Sequence, residues 1–512
     1  MSKRGILKNV FTVGGLTALS RVLGLVREML QSRLIGADVE QSAFTLAFAI
    51  PNMARKLFGE GALTAAFVPV FKSEVEQGEI EAAKRLARTV MTTLLLILGS
   101  VVVLAVLALT AWLGWQPGMG EGASPRAVLT VRLVRILLPY MIFICGAAFG
   151  MGILNALGKF AEGAFMPTIL NVIWLLALGT LCFFPGLSAT TCVTVVCWAI
   201  LFGGVAQMAF LLWRMAKRGY AFRLSLAGFR SEKFRLVWQN TVIAALGAGA
   251  IQINYMLDQV LAQCAAPWAA GVVGYAERLM DLPLGIIGVA FGTVLLPTFA
   301  GLFAKGDTDG AKQALASSFL TLMTVMIPAA FGLFVLAPEI TAVIYEGHAF
   351  DALATLRVSR AVAVYALGLG LFGFQKTLIP WFQVQNDMRT PLRVSVCTVV
   401  LNAVLNVLAV VLLPVEWRHV GLAGSTVFCA LVGCVMLRVL AVRRNGSLAA
   451  PGTVMAVAKI TVASAVMAGA LGVLKPHVAE LNRIVALGIL IVVGMAIYAA
   501  LAAAFRLRLK RL

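Results

Sequence analysis

Charge is scarce in this sequence: Asp, Glu, Lys and Arg make up 12% of its 512 residues, about half the share of a soluble domain. With 61% hydrophobic residues and a mean hydropathy of +0.95, the chain has too little polar surface to fold in water. Histidine is scarcer still. The three present, His348, His419 and His477, lie in or beside expected loops with no acidic pair near them. A membrane enzyme acting on polyprenyl phosphates needs positioned acid-base or metal-binding groups, so that class is disfavoured and no catalytic residue is expected. The eight cysteines, Cys145, Cys182, Cys192, Cys197, Cys264, Cys397, Cys429 and Cys434, form no C-x-x-C pair and have no neighbouring histidine. They read as packing residues. Acids are few as well, 22 against 42 Lys and Arg, which leaves a net charge of +20. In a chain this apolar, basic loops mark cytoplasmic topology rather than a nucleic-acid partner.

What is present in their place is a succession of apolar runs, each of about twenty residues and able to cross a hydrocarbon core of roughly 30 Å. The pattern predicts an all-α polytopic membrane protein with about fourteen transmembrane helices. The spans are 8-35, 42-71, 87-114, 128-155, 163-185, 188-213, 234-262, 269-299, 313-338, 352-383, 392-413, 419-441, 453-474 and 484-505. The basic start runs into the first span without a small-residue cleavage site and is expected to stay attached. Basic ends (Lys3, Arg4, Lys8; Arg506, Arg508, Lys510, Arg511) and basic loops (Lys84, Arg85, Arg214, Lys217, Arg218, Arg230, Arg443, Arg444) place both termini in the cytoplasm.

An internal repeat divides the chain. Val68-Pro69-Val70-Phe71 with Gly78-Glu79-Ile80 recurs 228 residues later as Leu296-Pro297-Thr298-Phe299 with Gly306-Asp307-Thr308. At a closely similar offset Asn155 and Asn171 match Asn386 and Asn402. Six spans separate the copies, so the halves share one orientation. Two pseudo-symmetric six-helix lobes are expected, residues 1-218 and 219-444, with an extra C-terminal helix pair at 445-512.

Function should reside where polar residues interrupt the spans. In the first span Thr17, Ser20/Arg21, Gly24, Arg27/Glu28 and Gln31 follow the three-four spacing of one helical face. In the second, Thr45, Asn52, Arg55/Lys56 and Gly59/Glu60 do the same about Pro51, which removes a donor and bends the helix. In the eighth, Gly271, Gly274, Arg278, Asp281, Gly285, Gly288 and Gly292 form a stripe, with Glu277 alongside. A mid-span cation costs about 2.5-3.5 kcal/mol against lipid, so Arg21, Arg27, Arg55 and Arg278 must meet water, a counter-charge or a substrate. Salt bridges to Glu28, Glu60, Glu277 and Asp281 are one reading. A cavity for a phosphate or diphosphate is the other, since a guanidinium binds oxyanions bidentately and keeps its proton. Separately, Asp258, Asn402, Asn406 and Thr426 offer hard oxygen ligands for a sodium ion, set against ordinary polar helix contacts. Beyond sodium no cofactor is expected.

At these residues the chain resembles the MurJ (MviN) lipid II flippases of bacterial peptidoglycan synthesis, within the superfamily of multidrug and oligosaccharidyl-lipid exporters. The resemblance covers essentially the whole chain. It is carried by Ser20-Arg21-Val22-Leu23-Gly24-Leu25-Val26-Arg27-Glu28, by Pro51-Asn52-Met53-Ala54-Arg55-Lys56-Leu57-Phe58-Gly59-Glu60-Gly61, and by Tyr275-Ala276-Glu277-Arg278-Leu279-Met280. It departs from the family pattern in having Glu28 and Glu277 for aspartates, Lys56 for an arginine, Ser42 for an acid and Ala49 for a lysine. The resemblance implies a flippase of the bacterial inner membrane, not an enzyme. Its partner would be lipid II, the undecaprenyl-diphosphate-linked muropeptide, carried to the periplasmic leaflet by alternating access among the membrane lipids. Substrate contact would fall to Arg21, Arg27, Arg55 and Arg278, with Glu28, Asn52, Lys56, Glu60 and Glu277 about them. An exporter of another polyprenyl-diphosphate glycan is the nearest alternative; a cationic cavity disfavours organic cations.

Overall fold

The computed structural model describes residues 3–59, 61–115, 124–448 and 452–505, and these contain helices and turns with no β-strand. Sixteen α-helices are described. The first eight are α1 (Lys3–Ile35), α2 (Val39–Ala54), α3 (Ala62–Glu76), α4 (Ile80–Trp115), α5 (Pro125–Ala156), α6 (Phe160–Cys182), α7 (Ala189–Lys217) and α8 (Glu232–Ala265). The second eight are α9 (Ala269–Ala304), α10 (Thr308–Val335), α11 (Ala337–Tyr345), α12 (Ala352–Val384), α13 (Arg389–Leu412), α14 (Val415–Asn445), α15 (Thr453–Leu474) and α16 (Arg483–Ala504).

Ten of these, α4 to α7, α10, α12 to α14, α15 and α16, are long and apolar enough to cross a bilayer. They match ten of the fourteen expected spans. The segments 8-35, 234-262 and 269-299 are helical as expected, in α1, α8 and α9. The segment 42-71 is not one continuous α-helix. α2 contains Pro51, and directly after it Arg55–Gly59 form a π-helical turn before α3 begins. The sequence also gives no warning of α11, which has Pro338 in its first turn, where the missing N–H costs nothing.

Contacts divide the chain into two compact units, residues 1–260 with 347–350, and residues 261–346 with 351–512. In the first, α5 is the central helix and packs against α2, α4 and α7, while α1 lies along α6. Its core is aromatic: Phe44, Phe67, Phe71, Phe149 and Trp174 are wholly buried. Phe67 lies 5.1 Å from Phe71 and 4.6 Å from Phe149, ring centre to ring centre. The linker after α7 folds back on α4, where the Ser225 and Gly228 amides donate to the Thr92 and Thr89 hydroxyls at 3.0 and 3.1 Å. Gly36, at φ +80, sits where a Cβ would strike the Ala349 carbonyl, and the Ala349 amide donates to the Arg33 carbonyl at 3.2 Å. No other residue fits that turn.

In the second unit α12 is central, packed on α9, α10 and α14, and α15 lies along α10. Here three cations near helix ends are paired with acids. Arg357 pairs with Glu416 at 3.3 Å, Lys475 with Glu339 at 2.7 Å and Arg483 with Glu346 at 2.6 Å.

Candidate functional site

Of the first-span residues, Arg21 is exposed on α1, Arg27 is half-buried and Glu28 is buried. Arg27 and Glu28 form an ion pair although they are adjacent, and consecutive helical positions do not face each other. The pairing occurs because the guanidinium is drawn over α6. Arg27 Nη1 donates to Asn171 Oδ1 at 2.9 Å, and Cζ lies 4.2 Å from the centre of the Trp174 ring. Asn171 closes the contact by donating through Nδ2 to the Ser20 carbonyl at 2.9 Å. Further along the helix Gln31 donates to Gln41 of α2 at 3.0 Å.

The π-helical turn sets the second group of cations. A π-turn inserts one residue, so the side chains after it are rotated relative to the helix before. The Arg55 amide reaches the carbonyls of both Pro51 and Asn52. The Arg55 side chain folds onto the same segment, with Nε and Nη2 donating to Asn52 Oδ1 at 3.1 and 2.9 Å. Lys56 is exposed and its Nζ stands 5.0 Å over the Tyr255 ring of α8. Glu60, expected beside them, lies outside the described residues. All the cations of α1 and of this turn belong to one unit, and Arg278 belongs to the other.

On α9, Tyr275 is buried and Arg278 half-buried. The Tyr365 hydroxyl of α12 donates to Glu277 Oε1 at 3.4 Å, and the Tyr345 hydroxyl of α11 donates to the Tyr275 carbonyl at 3.3 Å. The rings of Tyr275 and Tyr345 are 4.7 Å apart. Glu277 is thus oriented from α12, a role the sequence did not reveal. Gly288 and Gly292 fall where side-chain surroundings are not described.

The four residues expected to hold sodium do not share a unit. Asp258 is in the first, where Asn254 Nδ2 donates to it at 3.3 Å. Asn402 and Asn406 are buried together on α13, joined by a 2.9 Å hydrogen bond, and Thr426 on α14 donates to its own helix at Leu422. These are neutral oxygen donors of a kind sodium accepts. Among the described residues no group of three or more His, Cys, Asp or Glu is placed to hold a metal ion.

The second unit also contains an apolar groove of about 450 Å³ between α10, α12 and α15, lined by Phe319, Met323, Phe331, Leu371, Phe374 and Thr461. A second space of about 250 Å³ shares Phe319 and Phe374 with it and has Arg438 and Leu448 on its wall. The residues sequence reasoning missed are Trp174 and Tyr365, together with the role of Asn171, noticed only as part of the repeat. A mid-span Asn with Trp three residues on is the one signal that was available.

The family model for the lipid II flippase MurJ matches residues 31–493. A probable lipid II flippase MurJ of Rhizobium tropici is 32% identical over 503 residues, covering 96% of this chain and 93% of that protein. The lipid II flippase MurJ of Burkholderia cenocepacia is 30% identical over 471 residues, 91% of this chain and 89% of that one. Among solved structures, a lipid II flippase MurJ in an inward closed conformation aligns with a TM-score of 0.78 at 23% identity, over 98% of this chain and 99% of that one. An inward-facing multidrug resistance transporter of the MATE family aligns at 0.69 and 15% identity, over 86% of this chain and 98% of that one. Those two likenesses establish the shared fold. With the family match running nearly end to end over a helical, multi-pass membrane chain, this protein belongs to the lipid II flippase MurJ family.

Proposed function

We propose that the protein carries lipid II from the cytoplasmic to the periplasmic leaflet of the bacterial inner membrane, exposing its binding arginines alternately to the two sides, with both termini in the cytoplasm. The observation that carries this reading is the family match over residues 31–493 in a chain with Arg21 and Arg27 on α1, Arg55 in the turn after α2 and Arg278 on α9. Four guanidinium groups suit a diphosphate, and none has to lose a proton to bind it. The amphiphile sets the rest. A sugar-peptide diphosphate crosses hydrocarbon only at great cost, whereas the isoprenoid tail gains nothing by leaving it. The headgroup therefore travels through protein and the tail stays in an apolar environment. The groove between α10, α12 and α15 is the surface we assign to the tail, because it is apolar and adjoins a second space with Arg438 on its wall.

Complementation tests this reading. A bacterial strain depleted of its own lipid II flippase should grow when this chain is expressed, and should lyse when it carries Arg21→Ala, Arg27→Ala, Arg55→Ala or Arg278→Ala at normal protein levels. Growth with all four single variants would overturn the site assignment. Lysis with the unaltered chain, correctly inserted, would overturn the function.

A further inference from the structure

Midway along α6, Asn171 and Trp174 are three residues apart and so share a helical face, and both act on Arg27. Asn171 Oδ1 accepts from Nη1 at 2.9 Å, while its Nδ2 is held by the Ser20 carbonyl at 2.9 Å, with the Ser20 hydroxyl at 3.2 Å. That second pair of contacts fixes the amide, so Oδ1 keeps facing the arginine. Trp174 is wholly buried, its ring 4.2 Å from Arg27 Cζ and in edge contact with Phe44 and Phe48 at 5.7 Å each. The indole cannot swing away.

These contacts use the guanidinium selectively. Nη1 is spent on Asn171 and Nη2 is paired with Glu28, while Nε is buried and has no hydrogen-bond partner among the described residues. Nε and Nη2 together form an edge that meets an oxyanion through two parallel bonds. Asn171 takes the opposite corner and Trp174 the face, so neither competes for that edge. A buried donor without a partner costs free energy, so Nε is the guanidinium position at which an incoming acceptor gains most.

The geometry points to Asn171 and Trp174 as positioning residues for Arg27: they clamp its far corner and its face so that the Nε–Nη2 edge is held for a phosphate oxyanion, with Glu28 as the resident counter-ion that the oxyanion displaces. This rests on the diphosphate reading above and adds two α6 residues that touch no substrate in it. It also explains how a half-buried arginine can be paired and still offer a donor. The ring supplies a cation–π contact that does not depend on whether Glu28 or phosphate occupies the edge.

The test is a double-mutant cycle on the full chain in nanodiscs, with lipid II as the probe and thermal stability measured in parallel. Asn171→Ala and Trp174→Leu should each weaken lipid II binding about tenfold, and Trp174→Phe, which keeps an aromatic face, should restore most of it. In an Arg27→Ala background, Asn171→Ala should change binding no further. Undiminished binding in Asn171→Ala, or losses that persist unchanged in the Arg27→Ala background and follow a lowered melting temperature, would overturn the positioning role. The wider reading fails separately: there, Arg21→Ala and Arg27→Ala would themselves leave binding intact.

Discussion

Gly158 and Asn386, 228 residues apart, occupy the same left-handed position in equivalent turns, at φ +75 and +55. After Gly158 the Lys159 amide returns to the Leu154 carbonyl at 2.8 Å; after Asn386 the Asp387 amide returns to the Phe382 carbonyl at 3.0 Å. Both are Schellman closures of the helix that is central to its unit, α5 or α12. The structural counterpart of Asn386 is therefore Gly158, not Asn155 as the sequence alignment of the repeat suggested. Gly tolerates this conformation freely and Asn better than other residues with a Cβ. We predict that Gly158→Ala lowers stability by about 1 kcal/mol and that Asn386→Gly is neutral or slightly stabilising. Thermal unfolding of the two variants in one detergent checks this; an equal loss from both would contradict it.

A second correspondence concerns ion pairs at matching helix ends of the two units. Glu162 at the start of α6 meets Arg214 at 2.7 Å and Arg218 at 3.3 Å near the end of α7, and Asp387 before α13 meets Arg444 at 2.7 Å near the end of α14. Glu162 is the more buried acid, so Glu162→Gln is expected to cost about 2 kcal/mol and Asp387→Asn about 1 kcal/mol at neutral pH. The Thr390 hydroxyl and amide, and then Arg444, hold the Asp387 carboxyl below its ordinary range. A lowered carboxylate pKa contributes stability that is present above the unfolded value and lost as pH falls through the folded one. The deficit of Asp387→Asn relative to the unaltered chain should therefore shrink below about pH 4. A deficit that is constant from pH 7 to pH 3 would rule out the charge as its origin.

The helices were legible in the sequence because lipid imposes long uninterrupted apolar runs, and the repeat was legible because Phe71 and Phe299, like Ala83 and Ala311, are buried at matching positions. The mid-span arginines were legible because nothing apolar can replace them unnoticed. Their partners were not. Trp174 reads in sequence as one more apolar residue of α6, and only the approach of α1 turns its face into a platform for Arg27. The π-turn at Arg55–Gly59 was hidden as well, since Pro51 announces a bend without saying how the next turn is wound. Glu277 shows the same limit: its orientation comes from Tyr365, far away in the chain.

Lysine should not replace the arginines. It preserves charge but presents a point cation in place of a planar fork, and in Arg27→Lys the contacts to Asn171, Glu28 and the Trp174 face cannot all be kept. Arg27→Lys and Arg278→Lys are expected to lower translocation at least about tenfold with the protein still folded. Rates within a factor of about two of the unaltered chain would show that charge alone suffices.

Membrane potential should accelerate export. A diphosphate moving outward from a negative interior runs downhill, and each net charge crossing the full field contributes about 2.3 kcal/mol per 100 mV. The return of unliganded arginines inward has the same sign, so neither step opposes the other. In proteoliposomes with a potassium diffusion potential, inside-negative polarity should raise the rate and inside-positive polarity lower it, for molecules oriented with their termini inside. Rates independent of polarity would remove the potential as a driving force.

The central claim is that this chain itself moves lipid II by binding its diphosphate. The measurement closest to it is translocation of fluorescently labelled lipid II in proteoliposomes containing only this protein, read by the accessibility of the headgroup to an impermeant quencher. The unaltered chain should equilibrate lipid II between leaflets, Arg27→Ala should not, and a lipid with the same tail but no diphosphate should stay where it was placed. Equal rates for the unaltered chain and protein-free vesicles, or equal transfer of the lipid without diphosphate, would contradict the account.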